Sequence, residues 1–235
     1  MTDGAFAQSP ILYKETSQIV SVHFCPSAPY HFAVATGARV QIYATKSNAC
    51  IKTITRFPDA ARSARIRKEG KLMVASDDSG QIQLFNLSTR SILRTFKGHA
   101  ASVKCVLFAP NNTHLLSVGD DRGLRMWDVS TSECVLHIEK AHDDFIRTAA
   151  FVGESSSQFI TGGYDHRIHF WDLKQSETMP IFTMAHDAPV EAVLIHKNGT
   201  IAISAGEFFQ FFFLLLMWSS RSMEGNLFVR ASDQP

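Results

Sequence analysis

Short hydrophobic runs that alternate with polar positions recur along most of this chain, and turn-forming residues separate them. Residues 103–108, VKCVLF, alternate as a half-buried strand does, and a polar turn follows at 109–112. A small-residue strand over 115–119, an Asp-rich turn and a third strand over 124–128 complete the unit. The same order of segments recurs over 146–172, and no stretch shows helical periodicity of comparable strength. The pattern therefore predicts an all-β protein.

The repeat has a nearly constant length. The aromatic residues that end the third strand of each unit are Tyr43, Phe85, Trp127 and Trp171, separated by 42, 42 and 44 residues. Histidines that precede three of the units are His99, His142 and His186, separated by 43 and 44 residues. This spacing is typical of one four-stranded propeller blade per repeat.

The dipeptides at the two ends of these units carry a family resemblance. Gly98-His99 and Ala141-His142 begin two units, which close at Trp127-Asp128 and Trp171-Asp172, so the chain resembles the WD-repeat proteins over residues 16–206. The resemblance implies a WD-repeat β-propeller with about four full blades and a partial fifth. The units at about 18–57 and 59–98 are degenerate, and Asp78 lies one residue further from the closing aromatic than its counterparts.

Three segments are expected: 1–15, which could supply a closing strand, the blades over 16–206, and a divergent tail over 207–235. The fifth unit contains His186 and strands over 190–195 and 201–206, after which the composition changes abruptly and no repeat resumes. A retained intron, altered splicing or a frameshift would explain the change, and an unusual but genuine fifth blade is the alternative. The apolar run at 208–218 is shorter than the roughly 18 residues of a membrane span, so no membrane association is expected.

Two sets of polar residues repeat with the units. The sets are His99, Ser117, Asp121 and Trp127, and His142, Thr161, Asp165 and Trp171. Ser, His and Asp together suggest a hydrolase triad, but an active site normally occurs once, whereas this set occurs twice. The resemblance implies buried hydrogen-bonded tetrads instead, and fully partnered buried polar groups fix one geometry. No catalytic residue is predicted, the chain is expected not to be an enzyme, and no cofactor or metal site is expected.

Strand periodicity and the family resemblance place a second group of residues at one end of the first strands. The group comprises Arg62, Lys104, Asp120, Phe145, Arg147, Tyr164 and Glu191. Three cations with two aromatic rings would suit an acidic peptide loop or an RNA backbone. A solvated rim with incidental charge is the alternative. The neighbouring cluster of Arg62, Arg65, Arg67 and Lys68 could be a nucleic-acid patch, but the interleaved Ala64 and Ile66 favour a solvated strand edge.

Overall charge and cysteine content add little. Lys plus Arg is 23 and Asp plus Glu is 22, which leaves a net charge of +1 and no general preference for nucleic acid. The four cysteines have no CxxC spacing and are expected to be free thiols, with Cys105 and Cys134 in buried strands. This usage fits a reducing compartment such as the cytosol or nucleus.

A narrower resemblance rests on the first two units. Segments 24–34, 39–43, 54–57 and 186–191 resemble those of the U3 small nucleolar RNA-associated WD-repeat subunit of the small-subunit processome, of the UtpA or t-UTP class. The resemblance implies a seven-bladed propeller followed by a helical domain, in a nuclear and nucleolar scaffold for ribosome biogenesis. Expected partners are other WD-repeat and helical-repeat processome proteins, with pre-ribosomal or small nucleolar RNA contacted directly or through them. A WD-repeat adaptor or substrate receptor in a ubiquitin ligase or signalling complex is the alternative.

Overall fold

The computed structural model describes residues 15–176, 178–196 and 198–206, together with the backbone of 211–215 and 228–230. Every regular element in this part of the chain is a β-strand, and the strands form five antiparallel four-stranded sheets, here called blades 1 to 5 in chain order. The predicted all-β class and its blade architecture are confirmed.

Each blade consists of four consecutive strands. Blade 1 contains β1 (Ile19–Phe24), β2 (Phe32–Thr36), β3 (Arg39–Ala44) and β4 (Ala49–Ile54). Blade 2 contains β5 (Ala61–Ile66), β6 (Leu72–Asp77), β7 (Ile82–Asn86) and β8 (Ile92–Phe96). Blade 3 contains β9 (Val103–Phe108), β10 (His114–Gly119), β11 (Leu124–Asp128) and β12 (Cys134–Ile138). Blade 4 contains β13 (Ile146–Phe151), β14 (Gln158–Gly163), β15 (Arg167–Asp172) and β16 (Phe182–Ala185). Blade 5 contains β17 (Val190–Ile195), β18 (Ile201–Gly206), β19 (Phe211–Leu215) and β20 (Phe228–Arg230).

The core lies between successive blades. The first strand of each blade packs against the first strand of the next, so β5 contacts β9, β9 contacts β13 and β13 contacts β17. Four clusters of buried apolar side chains fill these spaces, and Trp127 and Trp171 are the largest fully buried residues. Close approach of the strands explains the Gly-rich strand ends, because a Cβ on Gly119 would lie 2.2 Å from a backbone oxygen.

Blade 1 differs from the inner blades on one face. Ile19, Val22 and Phe24 of β1 are 46%, 49% and 60% exposed. The residues in the same register of β5 are Ala61, Ala64 and Ile66, which are all buried against blade 1. The exposed face of β1 is therefore chemically the same kind of surface that blades 2 to 5 bury against the preceding blade.

Blade 5 extends beyond the predicted partial unit. The predicted strands at 190–195 and 201–206 are present, and backbone pairing continues with Ile203 opposite Phe213 and Phe213 opposite Val229. An apolar, aromatic run has high β propensity, and the free edge of β18 offers it hydrogen-bonding partners. The expected closing strand at the N-terminus falls on residues 1–15, and all of these except Glu15 lie outside the described residues. Among those that are described, no helix has the length and hydrophobicity of a membrane span.

All four cysteines are free, as the sequence predicts. Cys25 and Cys105 are buried, whereas Cys50 and Cys134 are exposed. The expectation that Cys134 is buried is wrong, because it lies on β12, the outermost strand of blade 3, where side chains face the solvent.

Candidate functional site: two buried tetrads and a charged row

The first tetrad joins two strands and a turn of blade 3 to the segment that precedes β9. His99 Nδ1 lies 2.9 Å from Asp121 Oδ2, and its Nε2 lies 2.7 Å from Ser117 Oγ. Trp127 donates its Nε1 hydrogen to the same Ser117 oxygen at 2.8 Å. Because the Asp121 carboxylate can only accept, the neutral His99 carries its hydrogen on Nδ1 and donates it to Asp121, and Ser117 then donates its hydroxyl hydrogen to Nε2. The network is continuous and directional.

The second tetrad repeats this geometry in blade 4. His142 Nδ1 lies 3.0 Å from both oxygens of Asp165, and its Nε2 lies 2.7 Å from Thr161 Oγ1. Trp171 donates to Thr161 Oγ1 at 2.9 Å. The side chains of His99 and His142 have no solvent exposure at all. The structure thus brings together all eight predicted tetrad residues, in two copies of one arrangement.

Burial and hydrogen bonding set the charge states of the tetrads. Burial lowers the pKa of His99, against the opposing effect of Asp121, and favours the neutral imidazole. Burial alone would raise the pKa of Asp121, but hydrogen bonds from His99 and Arg125 outweigh it and hold that pKa well below its ordinary range. The pKa of Asp165 is lowered in the same way by His142. The blade 3 tetrad therefore contains a neutral histidine beside a charged carboxylate, and Asp165 is the charged carboxylate of the blade 4 tetrad.

Blade 2 replaces the tetrad with apolar contacts. Phe57, Ala75 and Phe85 occupy the positions that His99, Ser117 and Trp127 occupy in blade 3. The rings of Phe57 and Phe85 lie 5.5 Å apart and both are buried. Well-packed apolar residues can replace a buried polar network at little cost, so blade 2 keeps the fold without the polar residues.

The second predicted group forms a connected row across blades 2 to 5. We call it the charged row, and it consists of Asp78 and six members of the predicted group, Arg62, Lys104, Asp120, Arg147, Tyr164 and Glu191. The seventh predicted residue, Phe145, lies beside Arg147. Arg62 Nε donates to Asp78 Oδ1 at 2.7 Å, and Lys104 Nζ lies 3.3 Å from the same oxygen. Lys104 also lies 3.1 Å from Asp120 Oδ2, so it bridges carboxylates of two blades. Hydrogen bonds from Arg62 lower the pKa of Asp78, although burial opposes this shift.

The row continues into blades 4 and 5. Arg147 NH1 lies 3.3 Å from Asp120 Oδ1, and its guanidinium carbon lies 4.2 Å from the centre of the Tyr164 ring. This is a cation–π arrangement, with the ring of Phe145 at 5.9 Å from the same carbon. Tyr164 donates its hydroxyl hydrogen to Glu191. Burial and this bond to Glu191 raise the pKa of Tyr164, so the hydroxyl remains protonated.

Charge balance changes the interpretation of this surface. Three cations in the row alternate with three carboxylates, and each cation has a carboxylate within 3.3 Å. The row is therefore balanced in charge.

Sequence reasoning alone does not place Asp78 in this row, because its position in the unit aligns it with the tetrad aspartates. Its separation of 42 residues from Asp120 equals that of Phe85 from Trp127, and this offset identifies its correct counterpart. In the basic cluster, Arg67 pairs with Glu69 at 2.7 Å and Arg62 belongs to the charged row.

The comparisons with known proteins agree with this geometry. A family model described as "WD domain, G-beta repeat" matches residues 90–128 and 132–172, which cover blade 3 and much of blade 4. A protein of Schizosaccharomyces pombe called U3 small nucleolar RNA-associated protein 15 is 42% identical over 84% of this chain. The chain is a WD-repeat protein similar to U3 small nucleolar RNA-associated protein 15. The homologues of that name in Gallus gallus and Saccharomyces cerevisiae are 38% and 32% identical, each over 85% of the chain.

This WD-repeat chain spans only 38–39% of the length of those three relatives. The similarity covers about 200 residues in each case, which is close to the extent of the repeat pattern at 16–206. The resemblance expected from the sequence is therefore confirmed at the level of the family.

Proposed function

We propose that this chain is a non-catalytic scaffold in small-subunit ribosome biogenesis, as part of the small-subunit processome. Its expected role is to support pre-ribosomal RNA processing that yields 18S RNA, with a second role in ribosomal DNA transcription. The observation that carries this proposal is the similarity, at 32–42% identity over 84–85% of the chain, to relatives named as U3 small nucleolar RNA-associated proteins. The expected location is the nucleolus, and the expected partners are other WD-repeat and helical-repeat processome proteins.

The part of the charged row nearest blade 5 is the proposed contact for a protein partner. Phe145 is 38% exposed beside Arg147, and aromatic and Arg side chains carry much of the binding energy of protein interfaces. Arg147 holds its carboxylate partner at 3.3 Å, and its Nε has no hydrogen-bond partner within the described part of the chain. Its guanidinium is therefore not fully satisfied within the described part of the chain, and an acidic group of a partner would supply the missing acceptor.

RNA is expected to associate through partner proteins rather than with this row. Affinity for a nucleic-acid backbone depends on the release of counterions by an excess of basic residues. The row has equal numbers of cations and carboxylates, so it supplies no such excess. The balanced row fits a partner surface that also alternates in charge.

The first test is affinity purification of the tagged 235-residue chain from eukaryotic cells, followed by mass spectrometry and RNA analysis. We expect processome WD-repeat proteins and pre-ribosomal RNA in the purified material, with the tagged chain enriched in the nucleolus. Recovery of a ubiquitin-ligase core or signalling kinases, with diffuse cytosolic staining, would instead support the adaptor alternative. Recovery of chaperones and proteasome alone would contradict the scaffold role for this chain.

A surface variant tests the proposed contact. Phe145→Ala removes the partly exposed ring beside Arg147, and we expect it to reduce recovery of the direct partner several-fold while the chain stays folded, as judged by circular dichroism. Val135→Ala is the matched control, because Val135 is 54% exposed on β12 and lies outside the charged row. Equal losses in both variants, or none in Phe145→Ala, would place the partner elsewhere.

A further inference from the structure

One position differs chemically between the two tetrads although its place in the fold is the same. Arg125 on β11 lies opposite Ser117, and His169 on β15 lies opposite Thr161. Each precedes the tetrad tryptophan by two residues. The two side chains therefore occupy equivalent places beside their tetrads, where blade 3 has a guanidinium cation and blade 4 has an imidazole.

In blade 3, Arg125 supplies a fixed positive charge to the buried carboxylate. Its NH1 atom donates to Asp121 Oδ2 at 2.7 Å. The side chain of Asp121 is only 9% exposed. A buried carboxylate is costly unless a cation or several donors compensate it, and the guanidinium does so here.

In blade 4 the equivalent carboxylate has no such cation. The side chain of Asp165 is 4% exposed, and within the described part of the chain no lysine or arginine forms an ion pair with it. The ring of His169 lies against that of His142, with 4.2 Å between their centres. Thr183 Oγ1 lies 2.8 Å from His169 Nδ1 and holds that ring in place.

We propose that His142, Asp165 and His169 bind a divalent transition-metal ion, with Zn²⁺ preferred, in the place that the Arg125 guanidinium takes in blade 3. One ligand atom from each residue lies within 4.8 Å of the other two. Two imidazoles and a carboxylate are ligands that Zn²⁺ accepts at about 2.0–2.2 Å, so ligand atoms around a tetrahedral ion lie roughly 3.4 Å apart. The His142 and Asp165 atoms, now 3.0 Å apart, must therefore separate slightly, and the widest pair must close by roughly an ångström. Thr183 plays the part that outer hydrogen-bond partners play at metal-binding histidines.

Binding requires a proton to move within His142. The Asp165 carboxylate can only accept, so the hydrogen between it and His142 lies on Nδ1, and Thr161, which accepts from Trp171, donates its hydroxyl hydrogen to Nε2. For Nδ1 to become a ligand, the hydrogen moves to Nε2, which then donates to Thr161 Oγ1. The ring keeps the same number of hydrogens, no proton leaves the site, and the hydroxyl hydrogen of Thr161 turns away.

The test is calorimetric titration of the whole 235-residue chain with ZnCl₂, with the unfolding temperature measured alongside. We expect one equivalent to bind in the wild-type chain and to raise its unfolding temperature, because a ligand that binds only the folded state stabilises it. His169→Arg copies blade 3 and should lose that equivalent and the temperature rise. Arg125→His copies blade 4 and should gain a second equivalent. His166→Ala, which removes an exposed histidine outside the site, should bind as the wild type does.

Two results would overturn the proposal. One is Zn²⁺ binding by His169→Arg with unchanged stoichiometry and affinity, because surface histidines would then account for all of it. The other is an absence of binding by the wild-type chain. If His169→Arg does not fold, as judged by its far-ultraviolet circular dichroism, Arg125→His decides the matter. An added equivalent supports the site, and an unchanged number contradicts it.

Discussion

The substitution Thr161→Val removes the central hydroxyl of the blade 4 tetrad and changes little else, because valine has nearly the shape of threonine. His142 Nε2 and Trp171 Nε1 both lose their partner, at 2.7 and 2.9 Å respectively. Thr161 and the His142 side chain are fully buried, so water cannot replace the lost contacts. The variant therefore leaves two buried polar atoms unsatisfied while His142 still donates to Asp165.

The size of the effect follows from those two atoms. An unsatisfied buried donor or acceptor costs about 1–3 kcal/mol. The two costs overlap because both groups belong to one network, and the added methyl group returns up to about 1 kcal/mol of burial. We expect a loss of about 2–4 kcal/mol in the free energy of unfolding. For a chain of this size, that corresponds to a fall of roughly 5–15 °C in unfolding temperature.

Urea unfolding followed by near-ultraviolet circular dichroism measures this loss, since Trp171 reports directly on the site. Thr95→Val is the matched control, because Thr95 is a half-buried strand residue whose hydroxyl makes no hydrogen bond within the described part of the chain. The control should stay within about 0.5 kcal/mol of the wild type. If Thr161→Val were equally stable, the tetrad would contribute no net stability and the reasoning from buried polar satisfaction would be refuted.

Three further predictions concern other parts of the fold. Asp78→Asn weakens the bond to Arg62 and should cost about 1 kcal/mol in thermal unfolding, with a smaller loss at high salt. His23 accepts a hydrogen bond from the Ile66 amide, and burial together with Arg65 lowers its pKa from 6.5 to about 4. Its folded pKa lies below the unfolded one, so stability should fall as the pH drops from 6.5 to 4, and His23→Asn should reduce that pH dependence. Gly119→Ala should cost about 1–3 kcal/mol in urea unfolding, because its Cβ would lie 2.2 Å from a backbone oxygen, and an unchanged midpoint would contradict this packing.

The repeat made most of the fold predictable. Strand alternation and a period of 42 to 44 residues located the strands of blades 3 and 4, because packing of successive blades repeats the same burial pattern. The eight tetrad residues were found by the same spacing, and the structure brings each set into contact. The position of a residue within the repeat was sufficient to predict the tetrads, because that position determines both how buried the side chain is and which residues it contacts.

The remaining features depend on contacts between residues or strands whose positions do not follow the repeat. The sequence does not identify Asp78 as a member of the charged row, because blade 2 lacks the tetrad aspartate. Asp78 is the carboxylate nearest to that position, so it aligns with the tetrad aspartates of the other blades. The pairing of β19 with β18 is not predictable from the sequence, because the run that forms β19 lacks the repeat spacing. Backbone hydrogen bonds can form without that spacing, since every residue other than proline carries a donor and an acceptor. Likewise, the sequence does not show that Arg125 and His169 each lie beside a buried carboxylate, and only the structure makes that comparison possible.

The uneven burial of blade 1 has a consequence for hydrogen exchange. Blades that contact only their neighbours gain stability from each shared interface, so a blade with one exposed face opens more readily than one packed on both sides. Ile19, Val22 and Phe24 contribute little buried area to β1, whereas the matching residues of β5 are fully enclosed. Amide protection should therefore rise from β1 to β5 and β9, and local opening should begin at β1 well before global unfolding.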